Sequence, residues 1–138
     1  MGDKGTGQGN RRRVLLVEDH AILRQVVAHP LRQYGYDVVE ADGVMSALAA
    51  LAAQIPTIII RDIALPDGSG WEVLRHLPPR RDRIGIIVCS AWRPSRSEMA
   101  AHRPDVFLAK PFAIEALLHA MTEVYPGAAA TTIQEQLA

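Results

Sequence analysis

In Ile58-Ile59-Ile60-Arg61-Asp62-Ile63-Ala64-Leu65-Pro66-Asp67-Gly68-Ser69-Gly70, three β-branched residues lead to a carboxylate and a Pro/Gly-rich loop follows. That is the pattern of a buried strand delivering Asp62 to the mouth of a sheet. Upstream, Val14-Leu15-Leu16-Val17 is a second wholly apolar run, the mark of a parallel strand covered on both faces, and it stops abruptly at Glu18-Asp19-His20.

Between these two strands the periodicity alternates. Leu23, Val26, Val27, Leu31 and Tyr34 recur at helical spacing, Pro30 predicts a kink or an early helix end near His29, and Gly35 reads as the cap. Residues 36–41 form the second strand. Asp42 is placed to cap a helix over 43–53 with Val44, Leu48, Leu51 and Ile55 near one face, and Pro56 ends it before a strand at 57–61.

Downstream of Asp62, Ser69 and Glu72 form a capping box that opens a helix with Gly70, Val73, Leu74 and Leu77 on one face, stopped by Pro78-Pro79. A fourth strand over 84–89 follows. Ser95 and Glu98 predict a short helix to His102, then come a fifth strand over 105–109 and a last helix over 113–125 carrying Ile114, Leu117, Leu118, Met121 and Tyr125. Residues 1–12 read as a flexible tail, 13–125 as one domain and 126–138 as a second tail. Five strands alternating with five helices describe a doubly wound α/β fold, in which ligands gather beyond the carboxyl ends of the strands.

Composition narrows the function. The 138 residues carry 15 basic and 15 acidic side chains, so no overall field favours nucleic acid or an anionic membrane. Arg11-Arg12-Arg13 and Arg80-Arg81-Asp82-Arg83 read as a solvated flank and a solvated loop. The single cysteine, Cys89, lies in an apolar run and reads as a small buried hydrophobe. No signal peptide or membrane span is visible, which makes a cytoplasmic location the expectation. There is no helix-turn-helix and no basic recognition helix, so no nucleic-acid contact is expected from this chain.

The polar residues collect at the strand ends: Glu18 and Asp19 after the first, Asp62 after the third, Ser90 after the fourth and Lys110 after the fifth. If strands one and three are neighbours, three carboxylates share one pocket, an arrangement that calls for a cation. Oxygen ligands with open water positions suit Mg²⁺. Asp62 is then a candidate nucleophile toward a phosphoryl group, with Lys110 supplying a positive charge and Ser90 a hydroxyl. Taken singly, each residue has a plainer role as a cap, a turn or a strand end. Their joint placement carries the reading.

On these residues the chain resembles a response-regulator receiver, the phosphoacceptor domain of bacterial two-component signalling, over about 13–125. Glu18-Asp19 matches the acidic pair, Asp62 the acceptor, Pro66 and Gly70 the following loop, Ser90-Ala91 the hydroxyl and its small neighbour, Lys110-Pro111-Phe112 the Lys-Pro-Phe motif, and Phe107 the aromatic switch position. The resemblance implies a flavodoxin/CheY-like (βα)5 parallel sheet of strand order 2-1-3-4-5, with a cis bond before Pro111. It further implies Mg²⁺ held by Asp19, Asp62 and the Ala64 carbonyl, with Glu18 acting through water. A histidine kinase or phosphotransfer protein would donate the phosphoryl group, and Ser90 and Phe107 would pass the change to a downstream protein, with a homodimer as an option.

Departures fall between Ser90 and Lys110, where Trp92-Arg93-Pro94 and His102-Arg103-Pro104 replace the usual turns. Trp92 either covers the phosphoryl site, shielding it from water, or stands as an exposed or interface aromatic. Such a receiver is not an enzyme on other substrates, and it stands alone or has lost an output domain. The competing enzyme reading is a Mg²⁺-dependent aspartyl-phosphate phosphotransferase or phosphatase, which commonly has a second carboxylate two residues on, where this chain has Ala64. A flavodoxin-like carrier would want a phosphate loop where Glu18-Asp19-His20 stands. A receiver that signals without phosphate would not need the intact acid set.

Overall fold

A computed structural model describes residues 12–62, 64–65, 68–69, 73, 75, 84–102 and 104–124. Its order is β1 (Arg13–Val17), α1 (Ala21–Gln33), β2 (Asp37–Ala41), α2 (Val44–Ala53), β3 (Ile58–Asp62), β4 (Ala64–Leu65), β5 (Gly68–Ser69), β6 (Gly85–Ser90), α3 (Arg96–His102), β7 (Val106–Ala109) and α4 (Ile114–Val124). Five strands make one parallel sheet in the order β2-β1-β3-β6-β7, the doubly wound arrangement expected. β4 and β5 form a separate antiparallel pair in the Pro/Gly loop, which the sequence reading treats as loop alone.

Each strand feeds two apolar layers because successive side chains point to opposite faces. Val14, Leu16, Ile58, Ile60, Ile87 and Cys89 pack with α1 and α4 residues on one side. Leu15, Val17, Ile59, Ile86 and Val88 pack with α2 residues, Val73 and Ile84 on the other. Register then decides where the charged residues go. β3 pairs Ile60 with Leu16 of β1 and Ile87 of β6, so Asp62 follows the side of Ile60 and Arg61 the side of Ile59.

Pro30 does not end the first helix: α1 runs through it to Gln33. Val27, Ala28 and Leu31 are buried on either side of the proline, and that packing offsets the one backbone bond its ring removes. The helix stops instead at Gly35, whose φ of +94° lets the Tyr36 N–H reach the Leu31 carbonyl (3.1 Å) and the Gly35 N–H reach the Arg32 carbonyl (3.0 Å). Val26 and Tyr34, read as part of the buried stripe, are 59% and 37% exposed; Ala28 takes the place beside Val27.

In α2 the cap is Gly43, and not Asp42. Ser46 reaches back to accept from the Asp42 and Gly43 N–H groups (3.0 and 3.1 Å) and donates its hydroxyl to Asp42 Oδ1 at 2.8 Å. The buried face is Val44, Ala47 and Leu51, while Ile55 lies exposed past the helix end. The Ser95/Glu98 box forms as expected, with the Glu98 N–H on Ser95 Oγ (3.1 Å) and the Ser95 N–H on Glu98 Oε1 (3.0 Å). The Ser69/Glu72 box, the stop at Pro78-Pro79, Tyr125 and both tails lie outside the described residues, although Val73 and Arg75 are helical.

Candidate functional site

β1, β3, β6 and β7 end at the same edge of the sheet, and the residues singled out at their ends come with them. Glu18 follows β1 directly, its N–H making a further rung to the Ala41 carbonyl at 2.9 Å. Asp62 is the last residue of β3, opposite Cys89 of β6. Ser90 is the last of β6, and its carbonyl accepts the Lys110 N–H at 2.9 Å, which fixes the lysine just beyond β7. The Lys110–Pro111 bond is cis, as the resemblance implies.

The lysine joins two of the carboxylates. Its Nζ lies 2.7 Å from Glu18 Oε1 and 2.8 Å from Asp62 Oδ2. Burial alone would lower the pKa of this ammonium, but the hydrogen bonds and charges of Asp62 and Glu18 outweigh burial and the net shift is upward. Lys110 is therefore a firm cation at neutral pH. Glu18 is buried, and its second oxygen accepts the His20 N–H at 3.1 Å. The N-terminus of α1 is closed by the same His20, whose Nδ1 accepts from the Leu23 N–H at 3.3 Å.

Glu18, Asp19 and Asp62 each bring a carboxylate oxygen within 4.8 Å of the others. Hard oxygen donors at that spacing, one of them exposed, fit a small divalent cation that keeps several waters. Both Glu18 oxygens accept hydrogen bonds, from Lys110 Nζ and the His20 N–H, and Asp62 Oδ2 also accepts from Lys110 Nζ. Ala64 lies in β4, two residues past Asp62.

Ser90 is buried, and its Oγ accepts the Trp92 N–H at 3.1 Å. Trp92 itself is 76% exposed, so of its two readings the exposed aromatic holds and the cover over the site is not formed. Phe107, opposite Val88 in the sheet, is half-buried against the second layer, and the Arg93 guanidinium lies over its ring at 5.3 Å from the centroid. Cys89 is buried as expected, and burial pushes its thiol up to about 12, leaving it neutral.

Two arginines escape the sequence reading. Arg61, with no exposed surface, donates from Nη1 to the Asp62 carbonyl at 3.0 Å. Burial pushes its pKa down to about 10, which still leaves it charged at neutral pH. Arg24 donates from Nη1 to the Glu18 carbonyl at 2.7 Å and from Nε to Glu40 at 3.0 Å. A charged residue inside an isoleucine run is a visible signal for the first; nothing local marks the second.

The family model for the response regulator receiver domain matches residues 14–122. The KDP operon transcriptional regulatory protein of Escherichia coli is 33% identical over 126 residues, which is 90% of this chain and 56% of that one. The chain spans about half the length of the curated relatives it matches first. Among solved structures, a CheY-like receiver domain protein from Methanospirillum hungatei superposes with a TM-score of 0.77 at 21% identity, covering 92% of this chain and 99% of that one. The regulator TrrA of Thermotoga maritima, solved in complex with Mg²⁺ and beryllofluoride, gives 0.72 at 25% identity, covering 82% and 98%. Among the described residues no helix is long and apolar enough to cross a membrane. Matched by that family model over most of its length, this chain belongs to the response regulator receiver domain family of two-component signalling.

Proposed function

We propose that Asp62 accepts a phosphoryl group from the phosphohistidine of a histidine kinase or phosphotransfer protein. The observation that carries this is the Lys110 ammonium held between Glu18 and Asp62 with Asp19 in the same cluster. An Asp62 oxygen attacks phosphorus, the phosphorus–nitrogen bond breaks, and the imidazole leaves and takes up a proton. Asp19 and Asp62, with the Ala64 carbonyl, would hold Mg²⁺, and Glu18 would act through water. When bound, the ion neutralises charge on the transferring oxygens.

The chain's own residues supply the rest. Lys110 is already a fixed cation within reach of Asp62 Oδ2, so a phosphoryl oxygen arriving there exchanges one anionic partner of the ammonium for another. Ser90 offers its hydroxyl from the neighbouring strand. Its movement would pull the Trp92 N–H with it and alter the packing of Phe107 under Arg93. The surface of α3, β7 and α4 then carries the signal to a downstream protein. The chemistry is confined to the protein's own phosphorylation and dephosphorylation, which sets this reading against a phosphotransferase acting on other substrates.

Acetyl phosphate with Mg²⁺ should add one phosphoryl group to the wild type, seen as a mass increase that is labile to hydroxylamine, and none to Asp62→Asn. Modification that persists in Asp62→Asn, or none in wild type from either acetyl phosphate or a kinase, would end the proposal.

A further inference from the structure

The carboxylates of the acid site are carried on two strand ends, and each end is held through its backbone by an arginine outside the site itself. Past Glu18, β1 has left its ladder with β2, and the Glu18 carbonyl is taken by Arg24 Nη1 at 2.7 Å, a short, charge-assisted bond. Asp62 ends β3, and its carbonyl is taken by Arg61 Nη1 at 3.0 Å. We propose that Arg24 and Arg61 are positioning residues that fix the separation of the Glu18, Asp19 and Asp62 carboxylates by clamping the main chain beneath them; this inference rests on the function proposed above.

Both guanidiniums are themselves immobilised. Arg24 Nε is bound to Glu40 Oε1 at 3.0 Å, and Glu40 Oε2 is held by Arg32 Nη1 at 3.1 Å. Arg32 also donates to the Val38 carbonyl at 2.9 Å, so the chain of contacts ends on β2. The planar fork of Arg24 thus spans from the second strand to the acid loop, which a lysine ammonium on a flexible stem would not do. Arg61 is the largest fully buried side chain among those described, packed on the side of the sheet opposite the Asp62 carboxylate. A guanidinium there costs more to bury than the isoleucines beside it, so fold stability alone does not explain it.

The two effects of either arginine on a bound cation have opposite signs. As a positive charge it repels the ion; as a clamp it holds ligands at a spacing the ion can use. If the clamp dominates, Arg24→Met and Arg61→Met should each weaken Mg²⁺ binding by about tenfold, the size typical when groups orienting metal ligands are lost. The experiment is calorimetric titration of the 138-residue chain with MgCl₂, with thermal unfolding of each variant alongside. Weaker binding with thermal stability equal to or above wild type supports positioning, a split that a merely structural role would not give. Unchanged or tighter binding in both variants overturns the proposal, since only the charge effect would remain. If Arg61→Met does not fold, Arg61→Lys is read by the same criterion. Wild type that binds no Mg²⁺, or binds it equally in Asp62→Asn, overturns this inference and the metal-dependent function together. Binding lost only in Asp62→Asn, and not in the arginine variants, overturns this inference alone.

Discussion

Lys110 is the residue on which the charge balance of the acid edge turns. Its side chain is 18% exposed and those of Glu18 and Asp62 are 8% and 14% exposed, so the three interact with little solvent screening. Removing the ammonium strands two carboxylates beside each other. Lys110→Met should therefore lower stability by about 2 kcal/mol in metal-free buffer at pH 7, measured by urea unfolding, with saturating Mg²⁺ restoring part of the loss. The pH dependence has a definite sign. The folded-state pKa of Lys110 is raised above its ordinary 10.5, so its contribution is fully present below 10.5 and is lost as pH rises through the higher folded value. Urea midpoints across pH 7 to 9 should show no loss assignable to this group. Cys89, buried in the neighbouring strand β6, should resist iodoacetamide in the native protein at pH 8 and react only on unfolding.

At the scale of elements, α1 does two jobs. Its inner face, Val27, Ala28 and Leu31, anchors the first apolar layer, and Arg24 on its flank ties the acid loop to β2. Pro30 interrupts the hydrogen-bond ladder of this helix without ending it. Pro30→Ala should restore the missing donor and raise stability by about 1–2 kcal/mol, the helix-interior penalty of proline reduced by the unfolded-state freedom alanine regains. A fall in the urea midpoint would mean that the ring's packing outweighs its backbone cost. The outer face of α1 is a different matter. Ile22 and Val26 are 68% and 59% exposed, and Val26 joins Leu23, Pro30, Pro111, Phe112 and Ile114 in lining an apolar groove that reaches Lys110.

For the whole molecule, that groove borders Lys110, the partner of Asp62, so on the function proposed above it adjoins the path of a protein donor. Ile22→Asp combined with Val26→Asp should slow phosphorylation by a protein donor at least about tenfold, through lost apolar burial, and leave phosphorylation by acetyl phosphate unchanged. Equal loss with both donors would place the damage in the fold and not in docking. The fold tolerates such surface changes because its stability resides in two apolar layers on either side of β1, β3 and β6, none of which includes these two side chains.

Much of this protein is written locally. Apolar runs with no alternation specify covered parallel strands, and the change of period from strand to helix specifies a doubly wound sheet. The carboxylates, hydroxyl and lysine are legible because each stands at the end of such a run. A local preference yields where tertiary packing outweighs it. Pro30 is overridden by the burial of Leu31, while the cap of α2 moves for a local reason, Ser46 reaching back to the Asp42 and Gly43 N–H groups. Tertiary structure alone decided that Glu18 meets Lys110, 92 residues away, and that Arg24 and Arg61 grip the backbone under the acids. The Glu18–Lys110 contact depends on strand register across the sheet, whereas the two arginine contacts span only six residues and one and depend on which way a long side chain turns toward the main chain; hydrophobic spacing along a segment encodes neither.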